Sequence, residues 1–311
     1  MNEARWEEVA AGDVAPPRRG GGAIAAAARP RRAPVATLRR FARRQPIGML
    51  GTTVLLGIVL VALAADLIAP YDAGDQSGPP FVAPNRTYLF GTDKFGQDVF
   101  SRVVLGSRVS LEVGLICVPI GLLIGGSLGI VAGVAGGRID NAIMRLMDVL
   151  FAFPALVLAI LIAAVLGPSL TNAMVAIGIV IIPIFARTAR APVLSVMGME
   201  FMVAARVVGV GSRRLVLRHV LPNSMTPLVV QATISFSAAI LDEAALSFLG
   251  LGAQPPTPSW GKMLGEARNY VTLAPWMALF PGLAIVAAVL AINLLGDGLR
   301  DFLDPRTRTR G

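Results

Sequence analysis

Apolar residues in this chain come in six long runs, separated by polar stretches rich in Pro, Gly and Arg. The first, 47–68, holds 22 residues. At about 1.5 Å of rise per residue it reaches roughly 33 Å, enough to cross a hydrocarbon core of about 30 Å. The others fall at about 109–135, 146–166, from 170 past Pro183 to Arg187 and Arg190, 225–249 and 275–295. The fourth has only a short strictly apolar stretch; the fifth is interrupted by Ser235, Ser237, Asp242 and Glu243; the sixth is clean. In lipid every backbone polar group needs a partner within its own segment, so runs of this length predict helices without any appeal to periodicity. The expected fold class is all-α, an integral membrane bundle of six transmembrane helices.

Composition agrees: 55% of the 311 residues are hydrophobic and the mean hydropathy is +0.68, too apolar for a soluble globule. The net charge of +9 raises nucleic acid as a partner, but the basic residues lie mostly outside the apolar runs, where they orient a membrane protein instead. With the N-terminus inside, the cytoplasmic side receives ten Lys and Arg in 1–46, two in 134–147, six in 187–219 and four after 296, against six on the outer side. That asymmetry puts both termini in the cytoplasm and gives nucleic acid no role. A single cysteine, Cys117, and a single histidine, His219, leave no intrachain disulfide and no Cys/His metal cluster. Cys117 sits among Leu, Ile and Val and is expected to pack as a small hydrophobe.

Residues 1–46 are rich in Arg, Ala, Pro and Gly and poor in bulky apolar side chains, so they are expected to form a disordered basic cytoplasmic tail. The remaining organisation follows as a first transmembrane helix at 47–68, an outer loop at 69–108, a five-helix core at 109–306 and a short tail at 307–311. Outer segments 69–108 and 249–274 carry Pro, Gly and aromatics, which suits ordered structure better than a free linker.

Residues 199–223, MEFMVAARVVGVGSRRLVLRHVLPN, are basic, Gly-punctuated and amphipathic. Phe201, Ala204, Ala205 and Val208 recur at i, i+3, i+4 and i+7, the stripe of a helix with one apolar face. Gly209 and Gly211 break it, Ser212 is the expected N-cap of a second short helix through Arg218, and Pro222 fixes the chain before the fifth run. Small alanines permit close approach of another surface, and the arginines suit carboxylates on a partner. Periodicity and charge alone fit equally an interfacial helix lying on anionic lipid.

The spacing Ala204-Ala205-x3-Gly209-x11-Leu221-Pro222 resembles the cytoplasmic EAA loop of bacterial ABC import permeases. Collinear stretches extend the likeness over about 38–306, among them LFGTDKFGQDVFSRVVLGSRVSL, GGRIDNAIMRLMDVLFAFPALVLAI, LDEAALSFLGLGAQPPTPSWG and the final APWMALFPGLAIVAAVLAINLLGDGLRDFLDPR. Together they are similar to the C-type permease subunit of dipeptide/oligopeptide/nickel ABC importers. The resemblance implies a type I importer fold in the bacterial inner membrane. The implied function is half of a pore that moves di- or oligopeptides, or a related solute such as a nickel chelate, into the cytoplasm by alternating access. Implied partners are a homologous second permease, two cytoplasmic ATP-binding subunits and an extracytoplasmic substrate-binding protein, with lipid around the bundle. The coupling residues it implies are Glu200, Ala204, Ala205, Gly209, Ser212, Leu221 and Pro222. One position departs from the pattern: Val203 stands where the family usually has Glu, and Glu200, one turn upstream, is the candidate replacement.

No G-x-x-x-x-G-K-[ST] phosphate loop occurs, so no cofactor is expected on this chain, and ATP with Mg belongs to the partner subunits. Nor is there a context for a Ser-His-Asp hydrolase; the chain is not expected to be an enzyme. Asp242, Glu243 and Glu112 lie near outer helix ends, where pairing with Arg or backbone groups is expected rather than a proton relay. The rivals are an ion-driven secondary transporter, which calls for intramembrane charge pairs and an internal repeat, and a membrane scaffold whose basic loop binds a regulator.

Overall fold

The computed structural model describes residues 45–76 and 78–303, so the expected tails at 1–46 and 307–311 fall almost wholly outside the described residues. The described chain is helical, its one β feature an isolated Thr92–Asp98 bridge. Five helices are long and apolar enough to cross a membrane, and a sixth span arises if one sharply bent pair is counted together.

Helix α1 (Pro46–Leu63) starts on a proline, whose missing N–H costs nothing in a first turn. It is 18 residues long, shorter than its apolar run, because the chain breaks at Ala64 before the single turn α2 (Ala65–Ile68). Leu56, Leu60 and Leu63 stay exposed, as befits a lipid-facing helix that is apolar all round. The opposite side packs on the last helix so closely that a Cβ at Gly51 would lie 2.6 Å from the Ala291 carbonyl oxygen.

The second span begins ten residues before its apolar run, so the end of the expected outer loop 69–108 is helix. Asp98 caps α3 (Val99–Ile120), its Oδ2 accepting from the Ser101 amide at 2.8 Å. Beyond Pro119 the helix widens into a π turn at Gly121–Gly125 and continues as α4 (Gly126–Ala135). Proline cannot make its backbone bond, which accounts for the irregularity beside it. Gly121, Gly125, Gly129 and Gly133 form a stripe against α7 (Leu170–Met197), where added Cβ atoms would overlap Ile181, Ile182, Ala186 and Val193. Without a hydrophobic drive between helices in lipid, such small-residue stripes let backbones approach and gain dispersion contact.

The third expected span, 146–166, is corrected. Its apolar run begins inside amphipathic α5 (Gly137–Phe151), which meets α6 (Ala155–Leu166) at an 87° bend. Pro154 disfavours helical backbone at Phe153 and lacks an N–H, so the chain turns there. Twelve residues in α6 reach only about 18 Å. The fourth span, whose strictly apolar stretch is short, is the innermost: α7 carries buried Ile177, Phe185, Ala189 and Val193. Its Arg190 forms a two-pronged pair with Asp140 of α5 at 2.6 Å, and Arg187 reaches Asp148 at 2.6 Å while lying over the Phe151 ring. Helices α10 (Leu221–Phe248) and α12 (Trp276–Leu303) complete the bundle.

Where α3 begins, α10 ends and α12 begins, segments 69–98 and 249–275 form one ordered layer. Trp276 Nε1 donates to the Thr92 carbonyl at 3.0 Å, and Trp260 Nε1 to that of Val103 at 2.8 Å. Phe90 stacks on Phe280 at 3.8 Å between centroids. Arg102, almost wholly buried, pairs with Asp93 and with Glu266 of α11 (Trp260–Ala267), the latter at 2.8 Å. Glu243 is buried in α10 but accepts from Ser247 Oγ at 2.5 Å and from Ser259, so its partners are serines rather than the expected arginine or backbone. Cys117 is buried, its Sγ donating to the Met174 carbonyl, as expected of a packing cysteine. Arg108 clamps Asp66 through two 2.8 Å bonds, while Glu112 is left exposed on α3.

Candidate functional site

The segment joining α7 to α10 lies at the other end of the bundle from that layer. Gly198 closes α7, its amide bonding to the Leu194 carbonyl, and α8 (Glu200–Val207) follows at once. Glu200 is exposed in the first turn, where a carboxylate is favoured by the partial positive charge of the helix start. Gly209 ends the helix with φ +83°, a backbone region that side chains rarely enter. No heavy atom lies near its missing Cβ, so the demand for glycine is conformational rather than steric.

The second short helix differs from expectation. The first bonds of α9 (Ser212–Leu215) run to the Gly211 carbonyl, which puts Gly211 at the cap and Ser212 at the first helical position. Nor does it stop at Arg218: a π turn at Val216–Val220 carries it straight into α10, with Pro222 in the first turn where its missing N–H is harmless. Leu221 is half-buried and Pro222 exposed. The side chains of Ala205 and Ser212 lie outside those described.

Helix α8 buries one side against the protein and exposes the other. Met202 is 0% exposed and packs with Leu215, Val220, Val193 and Val196, beside Ile130 and Val134 of α4. The expected apolar stripe points the other way: Phe201 is 46% and Val208 83% exposed, Ala204 is exposed, and neighbouring Val207 is also 83% exposed. The loop is thus riveted to α4, α7 and α10 by one small core and turns a second apolar face outward, with exposed Arg214 and Arg218 nearby. Helix-period reasoning finds the stripe but not the rivet, because Met202, Leu215 and Val220 lie on separate elements. The glycine stripe 121–133 was legible as Gly at every fourth position of an apolar run.

Residues 125–309 match the model of the binding-protein-dependent transport system inner membrane component, and residues 36–84 match that of the N-terminal TM domain of oligopeptide transport permease C. The chain is 44% identical over 268 residues to the dipeptide transport system permease protein of Alkalihalophilus pseudofirmus, covering 86% of this chain and 88% of that one. It is 48% identical to the di/tripeptide permease protein of Pseudomonas aeruginosa, covering 83% and 88%, and 46% identical to the glutathione transport system permease protein of Escherichia coli, covering 87% and 89%. Among solved structures, an inward-facing methionine ABC transporter resembles it with a TM-score of 0.52 at 21% identity, over 66% of this chain and 98% of the other. That last likeness concerns the fold alone.

Proposed function

This chain belongs to the family of binding-protein-dependent transport system inner membrane components, and from that membership we propose that it carries di- or oligopeptides, or a related small solute, into the cytoplasm. It is a multi-pass inner-membrane permease of an ABC importer. Relatives named for dipeptide, di/tripeptide and glutathione transport support a short peptide as cargo. On this reading a homologous second permease completes the pore, an external binding protein delivers cargo, and two cytoplasmic ATPase subunits, holding ATP and Mg, supply the energy.

The observation that carries the reading is the outward apolar face of α8 on a buried rivet. A partner that seats Phe201, Val207 and Val208 in a groove removes apolar area from water, at about 25 cal/mol per Å². Closure of the ATPase pair then moves α8 as a handle. Met202, Leu215 and Val220 pass the displacement to α7 and α10, and the packed spans rock as rigid bodies between two access states. Glu200 stands in for the acid absent at Val203, presenting its carboxylate at the exposed start of the handle. Gly209 lets the chain reverse between the two short helices.

In the reconstituted complex, Val208→Asp is expected to abolish co-purification of the ATPase subunits and ATP-driven uptake. Glu200→Ala should lower the ratio of cargo moved to ATP hydrolysed. Undiminished assembly and uptake in Val208→Asp would remove the handle from the mechanism. Uptake by the isolated chain on a proton or sodium gradient alone would instead favour a secondary transporter.

A further inference from the structure

At the end of the bundle opposite the handle, Lys94, residues 247–250, α11 and the turn after it line an open recess of about 380 Å³. Its lining includes Lys94, Lys262, Glu266, Arg268, Asn269 and Tyr270. Glu266 is the one acid among the described lining residues, and Arg102 already holds it at 2.8 Å. Lys262 donates to a neutral acceptor, the Ala253 carbonyl, at 3.2 Å, and Lys94 lies over the Phe95 ring at 4.6 Å. Burial holds the Lys262 ammonium below its ordinary value; Glu266 opposes that shift, and Arg102 and Lys94 add to it. A half-enclosed recess with three cations and one committed acid is short of an anion, and its walls focus the field on whatever enters.

We propose that this cavity receives an acidic side chain projecting from the external binding protein, with Lys262 and Arg268 holding its carboxylate. The assignment rests on the reading that this end of the bundle faces outward. A protein source is favoured over a lipid headgroup because α11, eight residues long, is no spanning helix. It is fixed instead within the layer that segments 69–98 and 249–275 build around Arg102 and the two tryptophans. Arginine offers a planar fork to a carboxylate, and lysine a point charge deeper in the recess.

The test titrates ATP hydrolysis of the complete importer in nanodiscs with purified binding protein at low and high salt. Lys262→Glu and Arg268→Glu are each expected to raise the half-saturating concentration roughly tenfold at low salt and to flatten its salt dependence. Co-purification of the partner subunits reports folding, and exposed Arg268 keeps the test decisive should Lys262→Glu fail to assemble. An acid-to-lysine change on the binding protein that restores the titration of Arg268→Glu would support the assignment. An unchanged half-saturating concentration overturns it. So does a shift seen only with cargo-loaded binding protein, which gives the anion to the cargo, or one that vanishes without anionic lipid, which gives it to the membrane. Impermeant maleimide on Arg268→Cys in intact cells separates the two levels. Failure to label while Ser212→Cys labels refutes the outward orientation itself, whereas labelling with an unchanged titration refutes the cavity alone.

Discussion

The two ends of the bundle are built on opposite principles. The layer of 69–98 and 249–275 is tied down by polar and aromatic contacts of long range: Arg102 to Asp93 and Glu266, two tryptophan N–H groups to carbonyls, Phe90 on Phe280. The handle at 198–220 rests on five buried apolar residues and leaves Val207 and Val208 in the open. A layer built around a buried Arg102 held between two acids resists deformation, since any shift uncovers an uncompensated charge. A handle held by non-directional apolar contact tolerates small displacements and still transmits force. On the proposed mechanism the difference separates a surface that keeps its shape from one that is moved.

The largest expected effect breaks the rigid end. Arg102→Leu leaves buried Asp93 and half-buried Glu266 without their cation, which costs about 3–5 kcal/mol. Thermal unfolding of the purified complex should fall steeply, with that layer exchanging amide hydrogens first. Met202→Ala attacks the handle's rivet and should cost about 2–4 kcal/mol, as deletion of a fully buried side chain does. Its signature is different: ATP hydrolysis persists while cargo uptake per ATP drops, and equal loss of both would deny the rivet a transmitting role. Gly209→Val forces a branched side chain into positive φ, at about 1–2 kcal/mol. Because no described residue packs on Gly209, the loss should appear in coupling and in local proteolysis at 205–212 rather than in global unfolding.

The smallest stability effect sharpens the contrast. Burial lowers the folded-state affinity of Lys262 for its proton, so the unfolded chain binds that proton more tightly. Stability from this group is therefore lowest at neutral pH, rises as pH climbs through the depressed folded value, and is fully recovered above the ordinary lysine value of about 10.4. Lys262→Gln should remove that dependence with little change in unfolding temperature, while weakening response to the binding protein. A large destabilisation would show Lys262 to be a strut of the layer instead.

Much of this was legible along the chain. Length and apolarity of the runs call for spanning helices because lipid offers the backbone no partner, and the Ala-Ala-x3-Gly-x11-Leu-Pro spacing points to the proposed coupling segment between the fourth and fifth of them. Hydropathy sums side chains regardless of direction, so it placed a straight span over 146–166, where Pro154 bends the chain, and missed the ten helical residues from Val99. The stripe Phe201-Ala204-Val208 showed that α8 has an apolar face, yet either of its sides had an apolar residue to bury. Only packing against Val193, Val196, Leu215 and Val220 chose Met202 for the inside and left the stripe for a partner. The same holds for Arg102, whose acids lie at 93 and 266: pairing across that separation is decided by which helices the fold brings together, and no one-dimensional pattern encodes it.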